Sequence, residues 1–211
     1  MLIIPAILTN DPAELEAKIL KLENIVQRVH IDIIDGIFTN NKTVGLDALV
    51  SIETSLGIDI HLMTKEPIDW VDRAVETGAD RIIGQIEMMF GQQAFVSHVQ
   101  ELGSRAGIAI DIGTDPEEIN SQVLPQLDIV LVMGVKAGLQ GQEFNKIALE
   151  KIKKIKKSRE EFAGSFTIYV DGGVNKENIN SIIKAGAEET AIGSSLFEGD
   201  IKGNLERLNG K

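Results

Sequence analysis

The chain has 211 residues, 43% of them hydrophobic, with a net charge of −11 and no cysteine. This length suits one domain with a sizeable core, and the acidic balance argues against a nucleic-acid partner, because phosphate backbones are bound by clustered Lys and Arg. Without cysteine, disulfides and thiolate metal sites are both excluded.

The N-terminal segment, residues 1–15, has no basic region before a short apolar run that Pro5 interrupts. It therefore predicts a first strand rather than a signal peptide. No apolar run reaches the length needed to cross a membrane. We expect no membrane partner and a cytoplasmic location, which the lack of cysteine also suits.

Short apolar runs, several rich in Ile and Val, alternate with longer amphipathic stretches. The predicted strands are Leu2–Leu8, Val29–Ile34, Ile58–Met63, Arg81–Ile86, Gly107–Asp111, Asp128–Val135, Phe166–Val170 and Glu189–Ile192. The predicted helices include Asp11–Glu23, Ile68–Thr77, Gln92–Leu102, Phe144–Arg159 and Lys176–Ala185. Asp11 and Asn175 are typical helix starts, and Gly78, Gly103 and Gly186 follow last helical turns, where a left-handed cap is favoured.

Eight strands alternating with helices in about 200 residues predict a parallel sheet with crossover helices. Eight is also the number that closes a (β/α)8 TIM barrel. An open doubly wound sheet is the alternative, but no G-x-G-x-x-G motif follows the first strand, which weakens a dinucleotide-binding version of it. No linker divides the chain, so residues 1–211 are expected to form a single α/β barrel domain.

Two histidines and two aspartates fall on inward faces at or near strand ends. Because successive strand side chains point to opposite faces, His30 and Asp32 share a face, as do His61 and Met63, while Asp171 directly follows its strand. Catalytic groups of barrels lie at these strand ends, and two imidazoles with two carboxylates suit Zn²⁺ or another first-row divalent ion. Each residue alone has a structural explanation, as a core histidine or a helix cap. The coincidence of four favours a metal site with two acid–base carboxylates.

The interval between the sixth and seventh strands is longer than the others. It holds residues 136–142, KAGLQGQ, a glycine-bearing loop suited to a substrate lid. The lysine-rich stretch after it is expected to be a solvated helix face. His98 lies in another helical stretch and is expected at the surface.

Glycines follow the seventh and eighth strands, in the segments 171–174 (DGGV) and 191–195 (AIGSS). The loops at these two positions are the usual phosphate site of barrels. Glycines let the backbone approach an anion, and amides at a helix N-terminus point at it. The two segments together predict a phosphorylated substrate.

These motifs, in this order, resemble the ribulose-phosphate 3-epimerase family over nearly the whole chain. The matching segments are residues 3–8, 30–36, 60–63, 133–144, 170–175 and 193–195. The resemblance implies that His30, Asp32, His61 and Asp171 bind one divalent ion. Zn²⁺ is the first choice, with Mn²⁺, Fe²⁺ and Co²⁺ as alternatives.

The same resemblance implies that Asp32 and Asp171 are the catalytic acid–base pair. The residues it implies for substrate and phosphate binding are His61, Met63, Gly138, Gly141, Gly172, Gly173, Gly193 and Ser194. The implied reaction is epimerisation at C3 of a ketose phosphate through an enediolate, first of all D-ribulose 5-phosphate to D-xylulose 5-phosphate in the pentose phosphate pathway.

The chain differs from the usual residues of the family around this set. The differing positions are Ala6, Ile34, Gln85, Asp111 and the loop Lys136–Gly141. Two alternatives therefore stay open: the same chemistry on another phosphosugar, such as a hexulose 6-phosphate, or a catalytically silent phosphate-binding barrel with a regulatory role. A decarboxylase or synthase of the same architecture ranks low, because the inward positions that can be placed carry no lysine. The expected partners are a small sugar phosphate and further copies of the chain in a homo-oligomer.

Overall fold

The computed structural model describes residues 1–208 and 210. Eight parallel strands form a closed barrel in chain order, with β8 pairing back onto β1. The strands are β1 Leu2–Ile7, β2 Arg28–Ile34, β3 Gly57–Met63, β4 Arg81–Gln85, β5 Arg105–Ile110, β6 Ile129–Met133, β7 Thr167–Asp171 and β8 Glu189–Ile192. The prediction of a (β/α)8 TIM barrel is confirmed.

The helices lie outside the strands. They are α1 Pro12–Leu22, α2 Asp47–Val50, α3 Val71–Glu76, α4 Gln92–Glu101, α5 Ile147–Glu161, α6 Ile179–Ala185 and α7 Ile201–Leu208. Asp11 caps α1 as expected, because its carboxylate accepts a hydrogen bond from the Ala13 amide at 2.9 Å. Gly78, Gly103 and Gly186 all have positive φ angles, as left-handed caps require. Within the described residues, no helix combines the length and apolarity of a transmembrane segment.

Several predicted boundaries were wrong by a few residues, and two helices begin later than predicted. The α5 helix begins at Ile147 rather than Phe144, and in the turn before it the Asn145 side chain accepts a hydrogen bond from the Ile147 amide at 3.0 Å. The α6 helix begins at Ile179 rather than Lys176. There Asn175 caps a preceding turn by accepting two amides.

The interval between β5 and β6 contains no α-helix in the described structure, only the 3₁₀ turns Pro116–Glu118 and Leu124–Gln126. Pro116 and Pro125 stand in the first turns of these segments, where a missing amide hydrogen is tolerated, and the backbone becomes extended directly afterwards, at Ile119 and Leu127. The predicted helix Ile68–Thr77 likewise divides into a 3₁₀ turn, Pro67–Trp70, and α3.

Two other surface predictions need adjustment. The lysines of α5 are mostly exposed, but Lys151 is buried, where its ammonium donates to the carbonyl of Asp111 at 2.7 Å and to that of Thr114. His98 lies on the outside of the barrel, where its Nε2 is 2.9 Å from Asp72. It is only about one-third exposed, since its side chain retains 32% of its accessible surface.

The barrel wall separates two apolar clusters, one between strands and helices and one inside the barrel. Ile31 and Ile33 of β2 belong to the outer cluster, so the alternation of the strand turns His30 and Asp32 inward. Register then sets the neighbours: Asp32 pairs with His61, and Met133 pairs with Asp171.

A charged layer fills the amino-terminal end of the barrel interior. Asp59 is fully buried and accepts hydrogen bonds from both Arg28 and Arg81, and Arg81 also donates to Glu189 at 2.7 Å. The Arg81 guanidinium lies 5.6 Å from the centre of the Tyr169 ring. Buried charges need such partners, because desolvation is otherwise costly.

Candidate active site

His30, Asp32, His61 and Asp171 converge at the carboxyl end of the barrel. One donor atom from each lies within 4.8 Å of the others. His30 Nε2 is 3.1 Å from Asp32 Oδ1 and 4.0 Å from Asp171 Oδ2, and His61 Nδ1 is 3.0 Å from Asp32 Oδ1. Strands β2, β3 and β7 therefore bring together the four residues that the sequence singled out.

The cluster is buried, and its two aspartates have opposite electrostatic surroundings. Burial favours a neutral Asp32, but His30 and His61 outweigh it and hold the pKa of Asp32 well below its ordinary value. Burial, followed by the charge on Asp32, raises the pKa of Asp171 to about 6. The pKa of His30 is raised, because the charge of Asp32 outweighs the opposing effect of burial. Two carboxyl groups with separated pKa values can serve as an acid and a base.

The same donors fit a divalent first-row cation. Two imidazole nitrogens and two carboxylates form a set that such ions accept, and the two negative charges balance the charge of the ion. His61 is fully buried, and its Nε2 has no hydrogen-bond partner among the described residues. An ion at the cluster would balance the buried charges of the two aspartates, while the unpaired His61 Nε2 is a different nitrogen from the one beside Asp32.

A cavity of about 270 Å³ opens above the cluster. Asp32 and Asp171 lie on its wall, and Met63 and Met133 add apolar surface. The other lining residues are Ala6, Leu8, Val135, Gly138 to Gln142, Gly172 to Asn175 and Ala191 to Ser195. Of the residues expected to contact substrate, His61 is the exception, because it lies behind Asp32 and does not line the cavity.

The turn after β7 follows a path that only glycine takes easily. Gly172 and Gly173 have φ angles of +101° and +69°. A Cβ on Gly172 would come within 2.4 Å of the Val135 side chain, and one on Gly173 within 2.5 Å of the Phe144 amide nitrogen. The backbone of this turn is thereby exposed to the cavity, where its amides can bind an anion.

Residues 136–142 cover one side of the cavity and are tied down by side-chain amides. Asn41 donates to the Gly138 carbonyl at 3.0 Å, and Gln140 donates across the mouth to the Leu8 carbonyl at 2.8 Å. Gln142 donates to the carbonyls of Lys136 and Leu139. These bonds hold the loop over the cavity, and its role as a lid stays a prediction.

Of two buried polar residues near the cluster, sequence reasoning missed Tyr169 and named Gln85 only as a departure from the family. The Tyr169 hydroxyl is 3.1 Å from His30 Nδ1, and burial raises the pKa of this hydroxyl well above its ordinary value, which keeps it neutral. Gln85 is fully buried, and neither polar atom of its amide has a partner among the described residues. The alternation that puts Asp171 inside the barrel also puts Tyr169 there, so the signal for Tyr169 was present.

The chain matches the ribulose-phosphate 3-epimerase family over residues 2–197. It is 34% identical over 183 residues to the ribulose-phosphate 3-epimerase of Aquifex aeolicus (strain VF5), covering 85% of this chain and 82% of that protein. It is 33% identical over 211 residues to the protein of the same name from Bacillus subtilis (strain 168), covering 98% and 97%. The prediction of an isomerase of this family is confirmed.

Solved structures of other names share the fold. A mutant tryptophan synthase α-subunit from Pyrococcus furiosus superposes with a TM-score of 0.73 at 18% identity, covering 100% of this chain and 98% of that one. A 3-hexulose-6-phosphate synthase superposes with a TM-score of 0.65 at 16% identity, covering 99% and 97%. These likenesses concern the barrel alone, whereas the sequence match extends to the segments that carry the cluster: the chain belongs to the ribulose-phosphate 3-epimerase family.

Proposed function

We propose that the chain interconverts D-ribulose 5-phosphate and D-xylulose 5-phosphate by epimerisation at C3. The observation that carries this proposal is the pair Asp32 and Asp171, which face one cavity from different strands and have oppositely displaced pKa values. Inversion of a carbon next to a ketone needs a base on one face and an acid on the other. The names of the relatives supply the substrate.

The two aspartates would exchange roles between the two directions of the reaction. In one direction the ionised Asp32 takes the C3 proton, electrons move onto the C2 oxygen to form an enediolate, and protonated Asp171 returns a proton to the opposite face of C3. In the other direction Asp171 takes the proton and Asp32 returns it. Each turnover thus leaves one charged and one neutral carboxyl group with their states exchanged, and proton exchange with solvent resets the pair.

A divalent ion held by His30, Asp32, His61 and Asp171 would supply positive charge that stabilises the enediolate. Zn²⁺ is our first choice, and Mn²⁺, Fe²⁺ and Co²⁺ suit the same donors. We assign His61 to this set and not to direct substrate contact, because it is buried behind Asp32.

The rest of the cavity would bind the sugar phosphate and exclude water. No lysine or arginine appears among the described residues that line the cavity. We therefore assign the phosphate to backbone amides and a hydroxyl, at Gly172, Gly173, Gly193 and Ser194. Met63 and Met133 would pack against the planar enediolate as apolar walls. Gly138 and Gly141 would let the covering loop close over the substrate.

The test is turnover by protein stripped with a chelator and then reloaded with one ion at a time. We expect D-xylulose 5-phosphate to form from D-ribulose 5-phosphate only in the reloaded samples, and Asp32→Asn to abolish it. Asp72→Asn, at an exposed carboxylate outside the barrel, is the matched control and should stay active. No turnover with Zn²⁺, Mn²⁺, Fe²⁺ or Co²⁺ would refute the proposal.

A panel of pentulose and hexulose phosphates in the same assay separates the remaining alternatives. Faster turnover of a hexulose 6-phosphate would assign a different substrate to the same epimerisation reaction. Binding of sugar phosphates without turnover would support the silent barrel instead. The homo-oligomer and the cytoplasmic location stay predictions from the sequence.

A further inference from the structure

Tyr169 contacts the nitrogen of His30 that faces away from the aspartates. Its hydroxyl oxygen is 3.1 Å from His30 Nδ1, while His30 Nε2 is 3.1 Å from Asp32 Oδ1. Both rings are fully buried, so water does not compete for either nitrogen. The imidazole is therefore divided between two neighbours, with Nε2 turned toward the cluster and Nδ1 toward Tyr169.

This division matters because a neutral imidazole has one N–H and one lone pair. For Nε2 to present its lone pair to a cation, the proton must be on Nδ1, where it donates to the Tyr169 oxygen. An outer hydrogen bond of this kind fixes both the tautomer and the ring orientation of a ligating histidine, and it raises the basicity of the ligating nitrogen.

The Tyr169 ring is itself held by the residues around it. Its ring meets His30 edge-on, with centroids 5.5 Å apart and planes at 87°. The Arg81 guanidinium lies 5.6 Å from the ring centre. Arg81 cannot move away easily, because Asp59 and Glu189 each accept a hydrogen bond from it at 2.7 Å. The charged layer at the amino-terminal end of the barrel thus supports the hydroxyl beneath the cluster.

The second imidazole of the cluster has no such support. His61 Nδ1 is 3.0 Å from Asp32 Oδ1, but its Nε2 has no partner among the described residues. Of the two histidines, His30 is the one anchored from outside the cluster.

We propose that Tyr169 is a positioning residue of the metal site, whose hydroxyl holds His30 in the tautomer and orientation that present Nε2 to the ion. The proposal rests on the proposed function, since it takes the four-residue cluster to be a metal site. It extends that function by naming the residue that sets the affinity of the site.

Tyr169→Phe removes the hydroxyl and keeps the ring. Thr190→Val is the matched control: Thr190 is also fully buried in the barrel wall, but its hydroxyl donates to the Val170 carbonyl at 3.0 Å. The probe is Co²⁺, titrated into each apo protein and followed by its visible d–d absorption. Loss of an outer partner of this kind costs about 10–100-fold in metal affinity, and we expect that loss in Tyr169→Phe alone. In ¹⁵N-labelled, Zn²⁺-loaded protein we expect the His30 Nδ1–H signal to lose its downfield, hydrogen-bonded shift in Tyr169→Phe alone.

Equal Co²⁺ affinity and equal His30 shifts in the wild type and Tyr169→Phe would overturn the inference. Equal weakening in Tyr169→Phe and Thr190→Val would overturn it as well, because both would then act by loosening the barrel. Failure of the wild-type chain to bind Co²⁺ would contradict the metal site and the proposed function together, which separates that outcome from a failure of the Tyr169 assignment.

Discussion

Asp171→Asn is the substitution that most sharply tests the division of labour between the two aspartates. Asparagine keeps the size of the side chain and one oxygen at the cluster, but it neither takes nor gives a proton. Asp171 is largely buried, with its side chain 13% exposed. Among the described residues that line the cavity, Asp32 is the other carboxylate, so none is left to take over the proton transfer of Asp171. Loss of one general acid or base costs about 10²–10⁴-fold in rate, or about 2.7–5.5 kcal/mol in barrier height.

The informative readout is directional. With Asp171→Asn, Asp32 still removes the C3 proton from one epimer and returns a solvent-derived one to the same face. We expect that epimer to exchange its C3 hydrogen in D₂O while the other epimer does not, with no net conversion. Asp32→Asn should show the reverse preference. The assay is ¹H NMR of each epimer with saturating metal. Wild-type exchange from both epimers in Asp171→Asn would refute the reasoning.

Three further predictions concern the site and its support. The pKa of His30 is raised and that of Asp171 is about 6, so protons on both groups compete with the ion, and the metal Kd should weaken steadily as the pH falls from neutral to about 5; titration calorimetry showing a flat profile over this range would contradict this. Gly173→Ala should lose about 2 kcal/mol or more in urea unfolding, because it adds a methyl group at positive φ within 2.5 Å of backbone; unchanged stability would speak against this turn path. Asp59→Leu should lower the free energy of unfolding by about 3–5 kcal/mol, because it leaves Glu189 as the one remaining carboxylate partner of the buried Arg81 among the described residues. Equal stability of the variant and the wild type would show that the charged layer does not stabilise the barrel.

Most of the barrel and the four-residue cluster were predictable because both follow from local patterns. Eight apolar runs of strand length specified the architecture. Alternation along β2 and β3 specified which faces His30, Asp32 and His61 occupy. The end of β7 specified Asp171. Each inference needed only a few neighbouring residues and the rule that parallel strands present their carboxyl ends together.

The remainder depends on contacts between distant parts of the chain. Tyr169 and His30 are 139 positions apart, and the closing register of the barrel decides that their side chains meet. The path of the covering loop depends on Gln140 reaching the carbonyl of Leu8, 132 positions away. The short helix α7 was not named among the predicted helices, and the 3₁₀ turns between β5 and β6 were not predicted either.

The fate of the C3 hydrogen during turnover tests the central claim most directly. D-ribulose 5-phosphate is converted by the metal-loaded chain in D₂O, and the product is analysed by NMR. If Asp32 and Asp171 exchange protons with solvent on opposite faces of C3, D-xylulose 5-phosphate will carry deuterium at C3 and hydrogen at every other carbon. Product without deuterium at C3, deuterium at another carbon, or the absence of product would contradict the account.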